Sequence, residues 1–171
     1  MLFLSSVILN QEVLSLRTAS AVASIIKPII NPNNLKIEGF YCRDYSTKQV
    51  LILLEQDIRE FQGNGYIVND HDSLSNAEDL IRLKNIMTIN FELINKKVET
   101  ISGNKVGKVE DYAVDNQSFF IQKIYSSKPI YKKLNNNRLM IDRSQINEIT
   151  PQKIIINELL SPFLAQAGVS I

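Results

Sequence analysis

The sequence predicts a mainly β protein built from two tandem antiparallel units that a short helix joins. Short runs of β-branched and aromatic residues alternate with Gly, Asn and Asp turns along most of the chain. Residues 53–61, LLEQDIREF, also match residues 141–149, IDRSQINEI, 88 positions later, and residues 67–69 keep this offset with residues 155–157. This self-similarity indicates an internal duplication with a unit of roughly 80 to 90 residues.

The bulk composition is that of an ordinary folded protein. Its 171 residues allow one domain or two small ones, and 44% of them are hydrophobic, which is enough for a core. Nineteen basic and eighteen acidic side chains leave a net charge of +1. This near balance argues against a dedicated nucleic-acid binder, which usually has a basic face, but it leaves room for a small local patch.

Cysteine content and hydropathy predict the compartment. The single cysteine, Cys42, cannot form an internal disulfide, so we expect a reducing compartment and interpret Cys42 as a buried hydrophobic residue. The first residues, MLFLSSVIL, are apolar but have neither a basic segment nor a cleavage site typical of a signal peptide. No run reaches the ~18 apolar residues of a membrane span. We therefore expect a soluble, cytoplasmic protein without a transmembrane segment.

The first unit is predicted to span residues 1–75. The strong turn Asn31-Pro32-Asn33-Asn34 separates two β-rich runs, and Pro28 inside the earlier run predicts an edge strand or a bulge there. The apolar run VLILL predicts a buried strand. Strands are expected at residues 7–16, 22–30, 35–41, 50–54 and 66–68.

The segment 76–90 is predicted to be a helical connector. Capping residues precede it, acidic residues fall in its first turn and basic residues fall near its end. Apolar residues recur at helical spacing, which predicts one helix over about residues 76–88. We expect its apolar stripe to pack against the core, and a role as an interaction surface is the alternative.

The second unit is predicted to span residues 91–171, with a C-terminal tail that packs onto the body. Residues 98–125 read as three strands separated by turns at 102–104 and 115–117. Gly103 is expected to supply a positive φ in the first turn, and Gly107 to mark a bulge or tight bend. Asp111 and Asp115 are expected to cap turns.

One local cluster combines basic and aromatic side chains. We interpret it as a solvated loop, and contact with RNA or an acidic partner is the alternative, because lysines neutralise phosphate and aromatic rings stack on bases. Its members lie in or beside residues 126–137: Tyr125, Lys128, Tyr131, Lys132, Lys133 and Arg138.

No catalytic or metal-binding constellation is evident in the sequence. One histidine and one cysteine cannot build a structural zinc site. His71 lies between Asp70 and Asp72 in a polar loop, and we expect it to be exposed to solvent rather than to hold a metal or activate a nucleophile. Residues 103–108, GNKVGK, have neither of the phosphate-loop spacings. We therefore expect a protein that is not an enzyme and has no cofactor.

The motif GNKVGKVEDYAVD, followed by FFIQKIY, RLMIDRSQINEIT and KIIIN, resembles the PRC-barrel family. The first unit matches more loosely, with Ala23 where Gly107 stands. The resemblance implies a small antiparallel β-barrel of about six strands per unit, and hence two tandem barrels joined by a short α-helix. The shared pattern falls on Val98, Gly103, Gly107, Val109, Asp111, Asp115, Ile141, Ile146 and Ile155.

The family resemblance also implies a kind of function. The family includes the cytoplasmic domain of the photosynthetic reaction-centre H subunit and the C-terminal domain of the ribosome maturation factor. Both act by docking on other proteins, and neither barrel is an enzyme. The expectation is a non-enzymatic protein-interaction or adaptor module whose partner the sequence does not identify. An RNA- or ribosome-associated assembly factor and a small-ligand binder at the groove between the barrels are the alternatives.

Overall fold

The computed structural model describes residues 1–63, 65–127 and 138–158. The protein is mainly β, as the sequence predicts, and its described strands form two seven-stranded sheets. The chain begins with strand β1 (Leu2–Leu4) and the single helical turn α1 (Ser5–Ile8). The sequence predicts extended backbone from residue 7 onward. Residues 5–8 are helical instead, so β1 and the strand that follows α1 belong to different sheets.

The first sheet follows α1 directly. Its central strands alternate buried and exposed side chains over much of their length, which places one face in the core. The strands are β2 (Glu12–Ser15), β3 (Ser20–Asn31), β4 (Lys36–Asp44), β5 (Val50–Leu54), β6 (Glu60–Gln62), β7 (Gly65–Val68) and β8 (Leu74–Ser75). Their order is β6-β7-β2-β3-β4-β5-β8, with β2 and β7 parallel and the other pairs antiparallel.

The connector differs from the predicted helix in two ways. Its helical residues form two 3₁₀ turns, Ala77–Asp79 and Ile81–Leu83, followed by the short helix α2 (Lys84–Ile89). Leu80 between the turns has φ −95° and ψ 65°, which breaks a continuous α-helix. None of residues 76–90 is buried, so the predicted packing of an apolar stripe against the core is wrong.

The second sheet repeats the connectivity of the first. It contains β9 (Lys97–Thr100), β10 (Lys105–Asp115), β11 (Ile121–Ser126), β12 (Leu139–Asp142), β13 (Ile146–Ile149) and β14 (Lys153–Ile156). Their order is β12-β11-β10-β9-β14-β13, and β1 pairs with β10 as the seventh strand. The parallel pair of β9 with β14 corresponds to the parallel pair of β2 with β7.

Irregularities in the strand register also occur at equivalent positions. The ladder of β3 with β4 is interrupted after Ile25 and after Ile29, and the ladder of β10 with β11 is interrupted after Val109 and after Ala113. Each interruption in the second sheet lies 84 positions after its counterpart in the first. Such bulges are specific local features, so their shared placement is a closer match than strand order alone.

The two sheets share one hydrophobic core and are joined by reciprocal hydrogen bonds. The Ile37 N–H donates to the Phe119 carbonyl oxygen, and the Ile121 N–H donates to the Leu35 carbonyl oxygen, both at 2.9 Å. Leu35 and Phe119, which are 84 positions apart, both have a positive φ, at 51° and 56°. Bulky residues rarely adopt this backbone conformation, and here both occur at the junction between the halves.

Strand β1 crosses between the halves. The predicted boundary assigns residues 2–4 to the first unit, but β1 is antiparallel to β10, with Phe3 opposite Val114. The Phe3 ring also contacts Phe61 of the first half, with ring centroids 5.3 Å apart. Across the described residues, no ladder of hydrogen bonds joins the end strands of either sheet, so neither sheet is a closed barrel in those ranges.

Candidate interaction surfaces

Of the two predicted structural glycines, Gly103 lies in the turn between β9 and β10, and Gly107 lies near the start of β10. Gly103 has φ +83° and its N–H donates to the Thr100 carbonyl oxygen at 2.9 Å, which closes the turn before β10. Gly107 follows a register shift in the ladder of β9 with β10, opposite Val98. A side chain at Gly107 would overlap the Ser127 carbonyl oxygen, so the close approach of these two backbones requires glycine.

The two predicted carboxylates have separate partners. Asp111 is buried within β10 after a bulge, where it accepts hydrogen bonds from the Ser5 hydroxyl at 2.5 Å and from the Tyr112 N–H at 2.8 Å. Asp115 accepts from the Ser118 hydroxyl at 2.7 Å and from the Met1 amino group at 3.0 Å. These bonds, the Ser118 hydroxyl foremost, lower the pKa of Asp115 to about 2. Asp115 therefore caps the turn after β10 as expected, whereas Asp111 lies inside the strand and links it to α1 rather than capping a turn.

The predicted partner-contact loop is described at its two ends. Tyr125 lies in β11, opposite Asp111 on one side and Met140 on the other. Arg138 pairs with Glu110 at 3.0 Å and approaches Asp111 at 3.7 Å, so it is engaged by acidic side chains of β10. Lys128, Tyr131, Lys132 and Lys133 lie outside the described residues.

A buried carboxylate and the single histidine form a pair that the sequence does not predict. The Asp44 side chain is fully buried, and His71 Nε2 lies 2.8 Å from its Oδ1. The Thr47 hydroxyl and N–H also donate to Asp44, at 2.5 and 2.8 Å. The Thr47 hydroxyl is the main cause that holds the pKa of Asp44 below its usual range, and His71 adds to the effect. His71 is therefore partly engaged rather than simply solvated.

The groups that often carry chemistry are separated from one another. Burial raises the pKa of the Cys42 thiol to about 12, which disfavours the nucleophilic thiolate. In the ranges that the structure covers, no three His, Cys, Asp or Glu side chains are placed to hold one metal ion. No helix in those ranges is long and apolar enough to cross a membrane.

The connector lines a groove next to the first sheet. We call the aliphatic side chains Leu80, Ile81 and Leu83 the connector surface. They face Leu54 at the end of β5 across a groove of about 490 Å³. Ile81 is 82% exposed at its rim, and Ile89 of α2 is also exposed. Protein interfaces commonly combine apolar side chains with charged and polar ones in this way. The charged and polar lining residues are Glu38, Glu55, Gln56, Asp79 and Arg82.

A second groove lies between the two halves, beside the turn after β3. It measures about 400 Å³ and is lined by residues 32–35 together with Arg143 and residues 146–149. Arg143 donates to the Asn34 carbonyl oxygen at 2.5 Å and to the Ile121 carbonyl oxygen at 3.3 Å, and its guanidinium lies over the Phe120 ring. The Arg143 guanidinium thus contacts both halves of the protein, and we do not assign it to ligand binding.

No model of a known protein family matches the chain, and no curated protein matches it either.

Proposed function

We propose that the protein is a non-enzymatic protein-interaction module whose partner binds the connector surface. One observation carries the proposal: the connector is rich in aliphatic residues, and none of residues 76–90 is buried. Exposing several aliphatic side chains next to one another costs solubility, and such patches often mark interaction sites. The connector also borders a groove of about 490 Å³, which has room for side chains of a partner.

The charges around the groove indicate the chemistry of the partner. Glu38 and Asp79 line it, Glu78 lies beside them, and Arg82 is the basic residue of the lining. Glu55 is already paired with Lys36 at 2.5 Å. A partner segment with aliphatic side chains flanked by basic groups would complement this surface.

The repeated connectivity supports a wider proposal about the whole chain. We infer that it is an internal duplication of a PRC-barrel-like unit that works in the cytoplasm as an adaptor. The equivalent bulges and the reciprocal bonds between the halves support duplication, and the motif around Gly103 and Gly107 supports the family relationship.

The test is capture of partners by the tagged full-length protein in its native host. Photo-crosslinking would be followed by mass spectrometry, with the Ile81→Asp variant beside the wild type. Ile101→Asp is the matched control, because Ile101 is also exposed, at 59%, but lies in the turn after β9. Because a charge in an apolar contact must be desolvated, we expect Ile81→Asp to lose at least about tenfold of the captured partner. The control should keep it.

Two results would count against the proposal. If Ile81→Asp and Ile101→Asp capture the same proteins in the same amounts, the connector surface is not the binding site. If the wild type captures no protein above a tag-only sample, the interaction role itself fails. Circular dichroism of each variant would verify that the substitution leaves the fold intact.

A further inference from the structure

Three lysines lie side by side across three neighbouring strands of the second sheet. Lys97 of β9 is opposite Lys108 of β10, and on its other side it is opposite Lys153 of β14. Residues in register on adjacent strands project from the same face, about 5 Å apart. We call Lys153, Lys97 and Lys108 the lysine row. The three residues are 11 and 45 positions apart in sequence, so only the strand register brings them together.

The row is accessible and incompletely neutralised. Lys97 and Lys108 are exposed, and neither forms an ion pair within the described residues. Lys153 is half-buried and pairs with Glu99 at 2.6 Å. The Lys153 hydrogen bond, and then the charges of Lys153, Lys105 and Lys97, lower the pKa of Glu99. One carboxylate therefore lies within reach of several ammonium groups, and an excess of positive charge remains.

The first sheet shows that the fold itself does not require this row. Glu12 of β2 is opposite Ser24 of β3 and opposite Gly65 of β7, in the same pattern of register. The positions of the lysine row are thus occupied there by a glycine, an acid and a serine. Like charges directly opposite each other destabilise a sheet. The second sheet contains these unfavourable pairs of like charges, and the first sheet does not.

The geometry points to a linear polyanion, and we propose that the lysine row binds the phosphate backbone of single-stranded RNA. The row is one residue wide. The next row on the same face contains Glu148, Ile155, Glu99 and Lys105, in that order across the strands. A planar array of lipid headgroups would press against these acids as well as the lysines. A single phosphodiester strand can follow the lysines alone, with regular charges that ammonium groups neutralise.

This site is separate from the connector surface, since it lies on the other sheet. It also differs from the basic loop that the sequence singles out, although Ser127 joins the two. The Ser127 N–H donates to the Lys108 carbonyl oxygen at 2.9 Å, and residue 128 follows directly. The overall charge of +1 is compatible with the proposal, because binding depends on the local row rather than on the sum.

The test measures binding of a fluorescently labelled, unstructured RNA oligonucleotide to the full-length protein as a function of salt. The variant is Lys97→Gln with Lys108→Gln. The control is Lys48→Gln with Lys84→Gln, which changes the net charge equally at exposed positions outside the second sheet. Log affinity falls with log salt with a slope of about −0.7 for each phosphate contact, so we expect the row variant, which loses two contacts, to show a slope less steep by about 1.4. The control should keep the wild-type slope.

A transfer variant tests sufficiency. Glu12→Lys with Ser24→Lys would build two lysines into the first sheet at the equivalent register. This variant should make the fall of log affinity with log salt steeper by about 1.4. The proposal is overturned if the wild type does not bind the RNA, or if the row variant and the control lose affinity equally. Preferential binding to phosphatidylserine vesicles or to polyglutamate would overturn the assignment to RNA. Thermal unfolding of each variant verifies that the fold is retained.

Discussion

The two sheets share a connectivity but protect one equivalent edge in different ways. In the second sheet, β1 covers the later part of β10, and the Asn116 N–H donates to the Met1 carbonyl oxygen at 3.0 Å. In the first sheet, the residue 84 positions before Asn116 is Pro32, which has no N–H, and Pro28 lies within β3 itself. Prolines prevent an exposed edge from recruiting another strand. The second sheet therefore pairs this edge with another strand, and the first sheet removes backbone N–H donors from it.

The segment that corresponds to β1 also differs. Residues 87–89 lie 85 positions after residues 2–4, and they belong to α2 rather than to a strand. Lys27 of β3 donates to the side chain of Asn90, at the end of α2, at 2.7 Å. A strand formed by residues 87–89 beside β3 would find no N–H donors at Pro28 and Pro32. These residues therefore form more hydrogen bonds within a helix. Equivalent positions in a chain can thus take different secondary structure because their partners differ.

The largest expected effect comes from exchanging the residues at the equivalent bulges. Gly107 is opposite Val98, and the buried Ala23 is opposite Val13. We expect Gly107→Ala to lower the free energy of unfolding by about 3 kcal/mol, because its methyl group would overlap the Ser127 carbonyl oxygen. Ala23→Gly should cost about 1 kcal/mol, mainly through backbone entropy. Urea denaturation measures both, and equal costs would show that the two bulges have the same local packing.

A smaller difference is expected between the two polar contacts at the junction of the halves. Arg143 and Glu55 lie 88 positions apart, but Arg143 holds two carbonyl oxygens and the Phe120 ring, whereas Glu55 pairs with Lys36. Arg143→Ala should cost about 2 kcal/mol, since two partly buried carbonyl oxygens lose a charged donor. Glu55→Gln should cost about 0.5 kcal/mol, as for other partly exposed ion pairs. Chemical denaturation that gave the opposite order would contradict this assignment of roles.

The smallest effect concerns the turns after β3 and β10, where Asn31 and Asp115 are equivalent. Both side chains accept a hydrogen bond from a backbone N–H of their own turn, but Asp115 can titrate. Its folded-state pKa is below the unfolded value of about 3.9, so its contribution is complete above about pH 4 and is lost as the pH falls. Asp115→Asn should therefore cost about 1 kcal/mol at neutral pH.

The pH dependence of the Asp115→Asn substitution tests the role of the carboxylate more directly than its cost at neutral pH does. The difference in unfolding free energy between wild type and Asp115→Asn should shrink as the pH falls from about 4 towards 2. Asn34→Ala is the control, because its side chain accepts from the Lys36 N–H in the turn after β3 and bonds no carboxylate among the described residues, so its cost should not change over the same range. A difference for Asp115→Asn that stays constant with pH would show that the carboxylate charge contributes nothing.

Local patterns in the sequence predict much of the strand arrangement. The turns around Gly103 and Asp115 carry specific chemistry, and the run VLILL coincides with β5. The match between residues 53–61 and 141–149 falls on equivalent strands and 3₁₀ turns. These features depend on residues adjacent in the sequence, so they can be predicted without knowledge of long-range contacts.

Features that depend on distant residues are not predictable in this way. Asp44 pairs with His71 of a 3₁₀ turn 27 positions later, and the alignment of the lysine row follows from strand register; no local pattern encodes either contact. The helical spacing in the connector predicts an amphipathic helix, but Leu80 interrupts it and the core is already filled by the two sheets. The connector surface is therefore exposed where the pattern predicts burial.

The reciprocal bonds at the junction relate the two halves by an approximate two-fold pattern. Residue 37 bonds to residue 119 while residue 121 bonds to residue 35, and the antiparallel bridge between Lys36 and Phe120 lies at the centre. This is the contact pattern of a two-fold symmetric homodimer. Joining two such subunits in one polypeptide removes the requirement that both copies be identical. Each half can then acquire its own surface, as the lysine row of one and the acidic Glu12 of the other illustrate.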